Sequence, residues 1–286
     1  MAIIAALESQ SRILLVRTGD PSSTSQSKLN ELVDADTGET LAQWHGAGIE
    51  AATTCDNAIV CACLDGIIYV VRGKDVTKIE LTNKDVWPTA GIELSPETAL
   101  FVGLKGKLIF VDIQSQETRL TSLSDWDVPR PGRDLLGALA FGPGKCYLLG
   151  KRELIIFYDG KQCEVLSSSR SEIRFSHCVM RDAVLWVTAK DGLNNYIARY
   201  DGRLTYVESP VPAGPYVPTM ATCNAGLLVG KQRVYVGVPG SWREIGDVGE
   251  PSIIGLIPRE DCVVLVTYRG RVERLPLIGT SPLSDE

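Results

Sequence analysis

The chain has 286 residues, 44% hydrophobic and 22% charged, the composition of a globular protein able to bury a core. Its net charge of −6 and pI near 5.2 argue against nonspecific nucleic-acid binding, which needs a cationic surface to displace counterions from phosphates. No apolar run approaches the roughly 20 residues needed to span a bilayer, and the opening MAIIAALESQSRILL is interrupted by Glu8 and Arg12 and lacks the basic start of a signal peptide.

Taken in order, the predicted elements repeat. IIAALESQSRIL (3–14) overlays IEAATTCDNAIV (49–60), with Ile3 on Ile49, Ala5 and Ala6 on Ala51 and Ala52, and Ile13 on Ile59. SKLNELVDA (27–35) reads as a third strand reached through the polar loop GDPSSTSQS. ALFVGL, KLIFVDI and TRLTSL follow as two apolar strands and one that alternates with charge. ELIIFYDGKQCEVL (153–166) and NYIARYDGRLTYVE (195–208) then carry the same phrase twice, a strand ended by Tyr-Asp-Gly and a second strand after it. FSHCVMRDAVLWVTAKDG (175–192) and MATCNAGLLVGKQRVYVGV (220–238) repeat a small-residue strand, a turn and an apolar strand. Asp-Gly between alternating strands is a hairpin signal, and no segment has helical periodicity.

Units therefore start near residues 2, 47, 88, 134, 173, 216 and 252, each reading as four short strands. Four strands about every 40 residues resemble a β-propeller, an expectation that covers residues 1–277 as one domain and leaves 278–286 as a tail. In such an all-β, seven-bladed fold the innermost strand is small, the middle strands are apolar on both faces, and the outermost is charged. The resemblance is to the architecture, not to one family: the only Trp-Asp, Trp126-Asp127, lies between blades rather than ending a third strand as in WD repeats, and the kelch double glycine and the sialidase Asp-box are absent. The last unit offers only SIIGLIP, CVVLVTY and GRVERLPL. Glu273, Arg274 and Pro276 in its third strand suit an exposed edge, so a three-stranded seventh blade is expected, with no strand shared between the termini.

Chemistry is sparse. Of two histidines, His177 is placed beside Cys178 at the end of a first strand, in register with Thr54-Cys55 and Thr222-Cys223, and His45 in a connection beside Trp44. Asn194-Asn195 read as turn residues of KDGLNN, and FGPGKC joins strand to strand with no helix to hold a phosphate. The eight cysteines contain no C-x-x-C pair and read as buried thiols in a reduced, cytoplasmic protein. No cofactor or metal is expected.

What remains is surface. Basic residues recur between second and third strands: Lys105 and Lys107, Lys151 and Arg152, Lys190, Lys231 and Arg233, Arg269 and Arg271. The long connections LTNKDVWPT, SLSDWDVPRPGRD and ESPVPAGPYVP add Trp87, Trp126, Arg130, Arg133 and Tyr216. Aromatics with arginine on protruding loops form a plausible hot-spot set, although Asp85, Asp125, Asp127 and Asp134 share those connections. The expected function is a non-catalytic protein–protein interaction module, a complex subunit or an immunity-type inhibitor. Its partner is another protein, acidic enough to give a salt-sensitive association rate. The alternative is a hydrolase or lyase with its site at the channel mouth. A glycan-binding propeller is weaker, because its per-blade Trp/Arg/Glu repetition is missing.

Overall fold

The computed structural model describes residues 1–19, 27–126, 128, 134–215, 217–249 and 253–277. They form seven antiparallel sheets of consecutive strands, six with four strands and the last with three, and the protein is an all-β seven-bladed β-propeller. The chain divides into two compact units, Met1–Ser171 and Glu172–Glu286.

The first unit holds four blades. Blade 1 is Ala2–Ser9, Arg12–Thr18, Lys28–Asp34 and Thr40–Gly46; blade 2 is Ile49–Cys55, Ala58–Cys63, Ile67–Arg72 and Asp75–Glu80. Blade 3 is Pro88–Ser95, Thr98–Gly103, Lys107–Asp112 and Thr118–Ser122; blade 4 is Leu135–Ala140, Cys146–Gly150, Ile155–Tyr158 and Cys163–Ser167. The second unit holds three. Blade 5 is Arg174–Arg181, Val184–Asp191, Asn194–Tyr200 and Leu204–Glu208; blade 6 is Thr219–Cys223, Gly226–Gly230, Arg233–Val238 and Ser241–Asp247; blade 7 is Ile253–Pro258, Cys262–Thr267 and Val272–Pro276.

The middle strands of blades 3 and 6 are largely apolar because a neighbouring blade covers each face. In blade 3, Ala99, Phe101, Ile109 and Val111 pack with Val60, Ala62, Ile68 and Val70 of blade 2. The intervening Leu100, Val102, Leu108 and Phe110 pack with Leu148, Ile156 and Tyr158 of blade 4. Blade 6 divides in the same way: Leu228, Val234 and Val236 meet Val263 and Leu265 of blade 7, and Leu227 and Val229 meet Ile197 of blade 5. With period-2 alternation both sets must be apolar, and this removes the polar face of an ordinary antiparallel strand. First strands are small for a matching reason. A Cβ on Gly91 would lie 2.6 Å from the Phe101 ring.

The Tyr-Asp-Gly phrases close third strands, with Tyr158 ending Ile155–Tyr158 and Tyr200 ending Asn194–Tyr200. Asp159 Oδ1 accepts the N–H groups of Lys161 and Gln162, both at 2.8 Å, which shapes the turn to the fourth strand. Asp34 does the same for Asp36 and Thr37, and Asp112 for Gln114 and Ser115. Asp201 instead pairs with Arg199 at 2.6 Å. Gly160 and Gly202 follow at φ of 100° and 97°, a region open to glycine.

Four readings need correction. His45 is on the fourth strand of blade 1, opposite Leu29, not in a connection. His177 does not end its strand: blade 5 turns at Asp182-Ala183, so Cys178 pairs with Val187 while Cys55 and Cys223 pair next to their turns. His177 falls instead at a register shift between Phe175 and Cys178. Lys190 and Asn195 are not turn residues but face each other as paired strand positions, because the second and third strands of blade 5 run on to Asp191 and Asn194.

In blade 7, Val272–Pro276 hydrogen-bonds to Cys262–Thr267 and, among the described residues, to no other strand. One row of its backbone groups therefore faces outward, and Pro276, without an N–H, closes the strand. Amides of residues 272–275 should exchange faster than those of Arg233–Val238, which is paired on both sides. Equal protection in a hydrogen-exchange measurement would show that another segment covers this edge.

Candidate functional site

In each unit the turn between second and third strands is tied to an inter-blade connection by backbone hydrogen bonds. In the first unit, Leu81 N donates to Gly66 O at 2.8 Å, Leu104 N to Trp87 O at 3.0 Å, and Lys151 N to Asp134 O at 3.1 Å. Charges follow the same seam. Lys105 Nζ lies 2.8 Å from Asp85 Oδ2, Lys105 N donates to Asp134 Oδ1 at 2.9 Å, and Lys151 Nζ lies 2.7 Å from Asp134 Oδ2. Burial pushes the Asp134 carboxyl up, but the Lys151 ammonium and the Lys105 N–H hold it below the usual carboxylate range. The hydrogen bond and charge of Lys105 do the same for Asp85. The expected basic face is thus, in this unit, an alternation of lysines and aspartates.

The expected aromatic anchors separate. Trp87 is 50% exposed, although its backbone is fixed by Leu104. Trp126 is half-buried, edge-on to Tyr158 at 6.1 Å between ring centroids, with its indole N–H donating to Lys161 O at 3.3 Å. Lys107 opens the third strand of blade 3, and Arg152 sits in a left-handed turn (φ 62°) whose carbonyl accepts Ser169 N–H. Arg130, Arg133 and Tyr216 lie outside the described residues.

The second unit is built differently. Gly214 N donates to Leu193 O at 2.7 Å and Ile253 N to Lys231 O at 2.8 Å, again tying connections to turns. Here the lysines are buried: Lys190 is 6% and Lys231 9% exposed, and Lys190 Nζ donates to Gly214 O. Arg233, opening the third strand of blade 6, is committed to Asp247 at 3.1 Å and Glu244 at 3.3 Å. Three clefts follow the connection after blade 5. One of about 280 Å³ is lined by residues 211–215 and 231–233. One of about 530 Å³ includes Asn195, Tyr206 and Pro212, and one of about 500 Å³ includes Tyr235 and Trp242. The sequence flagged the lysines as surface charges and did not find the clefts. The Pro- and Gly-rich run VPAGP was their only sequence signal, since prolines hold a connection away from the sheet.

His177 N–H and the Ser176 hydroxyl lie 3.1 Å and 3.3 Å from Thr188 Oγ1. His177 is exposed on one side, while the protein packed against the other draws its pKa down to about 4. Among the described residues no three His, Cys, Asp or Glu are placed to hold a metal ion, and no helix is long and apolar enough to cross a membrane.

No family model and no curated protein matches the chain. Solved structures share its fold at low identity. The computationally designed Ika8 protein is 16% identical over 96% of each chain, with a TM-score of 0.62. BamB from Moraxella catarrhalis is 11% identical over 97% of this chain and 86% of its own, with a TM-score of 0.64. A catalytically inactive virginiamycin B lyase from Staphylococcus aureus, solved with quinupristin, is 16% identical over 81% of this chain and 85% of its own, with a TM-score of 0.58. Both natural proteins are propellers, and the likeness is one of fold.

Two outcomes are expected. Trp126→Ala should cost about 1–2 kcal/mol in urea denaturation through lost burial and aromatic contact, and Trp87→Ala within about 0.5 kcal/mol; equal losses would show that both indoles are structural. Because the folded pKa of His177 lies below the ordinary 6.5, its contribution to stability is complete above that pH and is lost as pH falls toward 4. The exposed side of His177 makes the effect smaller than for a sealed imidazole. His177→Asn should flatten the stability profile between these values, and an unchanged profile would mean that the ring does not titrate on unfolding.

Proposed function

We propose that this protein is a non-catalytic interaction module, a subunit of a complex or an inhibitor-type binder, that engages another protein through the connection-bearing face of its first unit. The observation that carries the proposal is Trp87: a large indole, half in solvent, on a backbone fixed by Leu104, beside an Asp85 carboxylate that Lys105 holds. An exposed aromatic is an energetic anchor when little entropy is lost in ordering it, and a rigid scaffold supplies that condition. The rim of Lys105, Asp85, Asp134 and Lys151 alternates in sign and favours a partner with matching charges over a uniformly acidic one. A reducing, cytoplasmic location is part of the same proposal. In its support, none of the eight cysteines is joined in a disulfide, and burial raises the thiols of Cys55, Cys61 and Cys163 to about 12. The alternative of a hydrolase or lyase has in its favour only the fold likeness to virginiamycin B lyase.

The test is affinity capture from native extract, with partners identified by mass spectrometry and then titrated against purified wild-type and Trp87→Ala protein. The expected result is a partner whose affinity falls about thirtyfold, roughly 2 kcal/mol, at unchanged melting temperature. Partners bound equally by both proteins would exclude Trp87 as the anchor.

A further inference from the structure

The second unit places two tyrosines and a carboxylate on one face of blade 5, at the open end of its outer hairpin. Tyr196 of the third strand stands directly opposite Glu208 of the fourth. Tyr206, two residues before Glu208, shares their face because side chains alternate along a strand. Opposite residues of an antiparallel pair have Cβ atoms about 5 Å apart, so one ligand group can touch both side chains. The two tyrosine rings lie at 74° to each other with centroids 6.1 Å apart, and their faces therefore point in two directions. Tyr206 is 40% exposed, and Glu208 is exposed as well. Among the described residues, no hydrogen bond or ion pair engages the Glu208 carboxylate.

These three residues line the cleft of about 530 Å³, a size within the range of roughly 300–1,000 Å³ usual for ligand sites. Val211, Pro212 and Ala213 of the connection add an apolar wall, and Glu208 is the one charged group among the described residues that line it. Two cations of the same blade belong to the opposite face. Lys190 stands across from Asn195, which alternates with Tyr196, and its ammonium donates to Gly214 O. Arg199 shares that opposite face and pairs with Asp201 at 2.6 Å.

The cleft thus offers a negative charge and aromatic faces and holds no cation of its own. Both features attract a cation. A guanidinium, planar and weakly hydrated, stacks on aromatic rings and meets both oxygens of a carboxylate, which an ammonium does less well. The carboxylate of free arginine would find no cation among the described lining residues, whereas an arginine within a polypeptide lacks that group. We propose that this cleft binds an arginine side chain of a partner polypeptide, with its guanidinium on Glu208 and the rings of Tyr196 and Tyr206 and its methylenes against Val211 and Pro212. The site does not involve Trp87, so its failure leaves the proposed interaction surface untouched.

Isothermal titration of the full chain with the capped peptide acetyl-Gly-Arg-Gly-amide, its neutral citrulline counterpart, its lysine counterpart and free arginine tests the proposal. The arginine peptide should bind at millimolar concentration or below. The citrulline peptide should bind at least tenfold more weakly, and the lysine peptide and free arginine at least threefold more weakly. Glu208→Gln, at an exposed position, should lower the affinity for the arginine peptide at least tenfold at unchanged melting temperature. Tyr206→Leu should lower it about threefold, the loss of one exposed cation–π contact. No binding of the arginine peptide, equal binding of its citrulline or lysine counterpart, tighter binding of free arginine, or retained affinity in a folded Glu208→Gln protein would overturn the proposal.

Discussion

The structure depends on covering the second and third strands of blades such as 3 and 6 on both faces. A strand alternates its side chains between two faces, so a sheet that meets water on one side needs only every second residue to be apolar. Here Leu100 and Phe101 are neighbours in sequence, yet Leu100 packs with blade 4 and Phe101 with blade 2, and neither meets water. Adjacent sheets must then approach closely enough to exclude solvent, and small residues on the first strands allow it: a Cβ on Gly91 would lie 3.4 Å from Thr53 Cβ of blade 2.

Close packing of the sheets leaves their edges and connections to be organised by polar contacts. At one end, aspartates after the third strands fold the outer hairpins by accepting backbone N–H groups, as Asp34, Asp112 and Asp159 do. At the other, backbone bonds join connections to turns, and lysines either meet aspartates at the surface or become buried beneath the chain. The first unit takes the first course with Lys105 and Lys151, and the second unit takes the other with Lys190 and Lys231. A connection rich in proline and glycine can lie over a lysine near the turn and offer it a carbonyl, as Gly214 does for Lys190, whereas one carrying Asp85 or Asp134 offers a carboxylate. The chemistry of each face thus follows from the composition of the connection that crosses it.

The repeat was legible because every unit solves the same packing problem. Small, apolar and charge-alternating strands in fixed order announce inner, middle and outer positions, and Glu273, Arg274 and Pro276 mark the final edge for the same reason. Apart from His45, errors of placement arose where one blade departed from its sisters. The long strands of blade 5 carried His177, Lys190 and Asn195 away from the positions that alignment gave them, because strand length is set by pairing partners and not by the residues alone.

By itself, the sequence determined the seven-bladed propeller, the three-stranded last blade and the residue types its connections carry, since these follow from local hydrophobic alternation and turn chemistry. Which of those residues meet solvent was decided only by tertiary structure. Trp87 and Trp126 occupy similar connections, but one stands half in water and the other rests on Tyr158. Lys105 lies just past its second strand and Lys190 near the end of one, but the first is paired at the surface and the second enclosed. Exposure and charge compensation depend on what a neighbouring segment places overhead, and no local pattern encodes that.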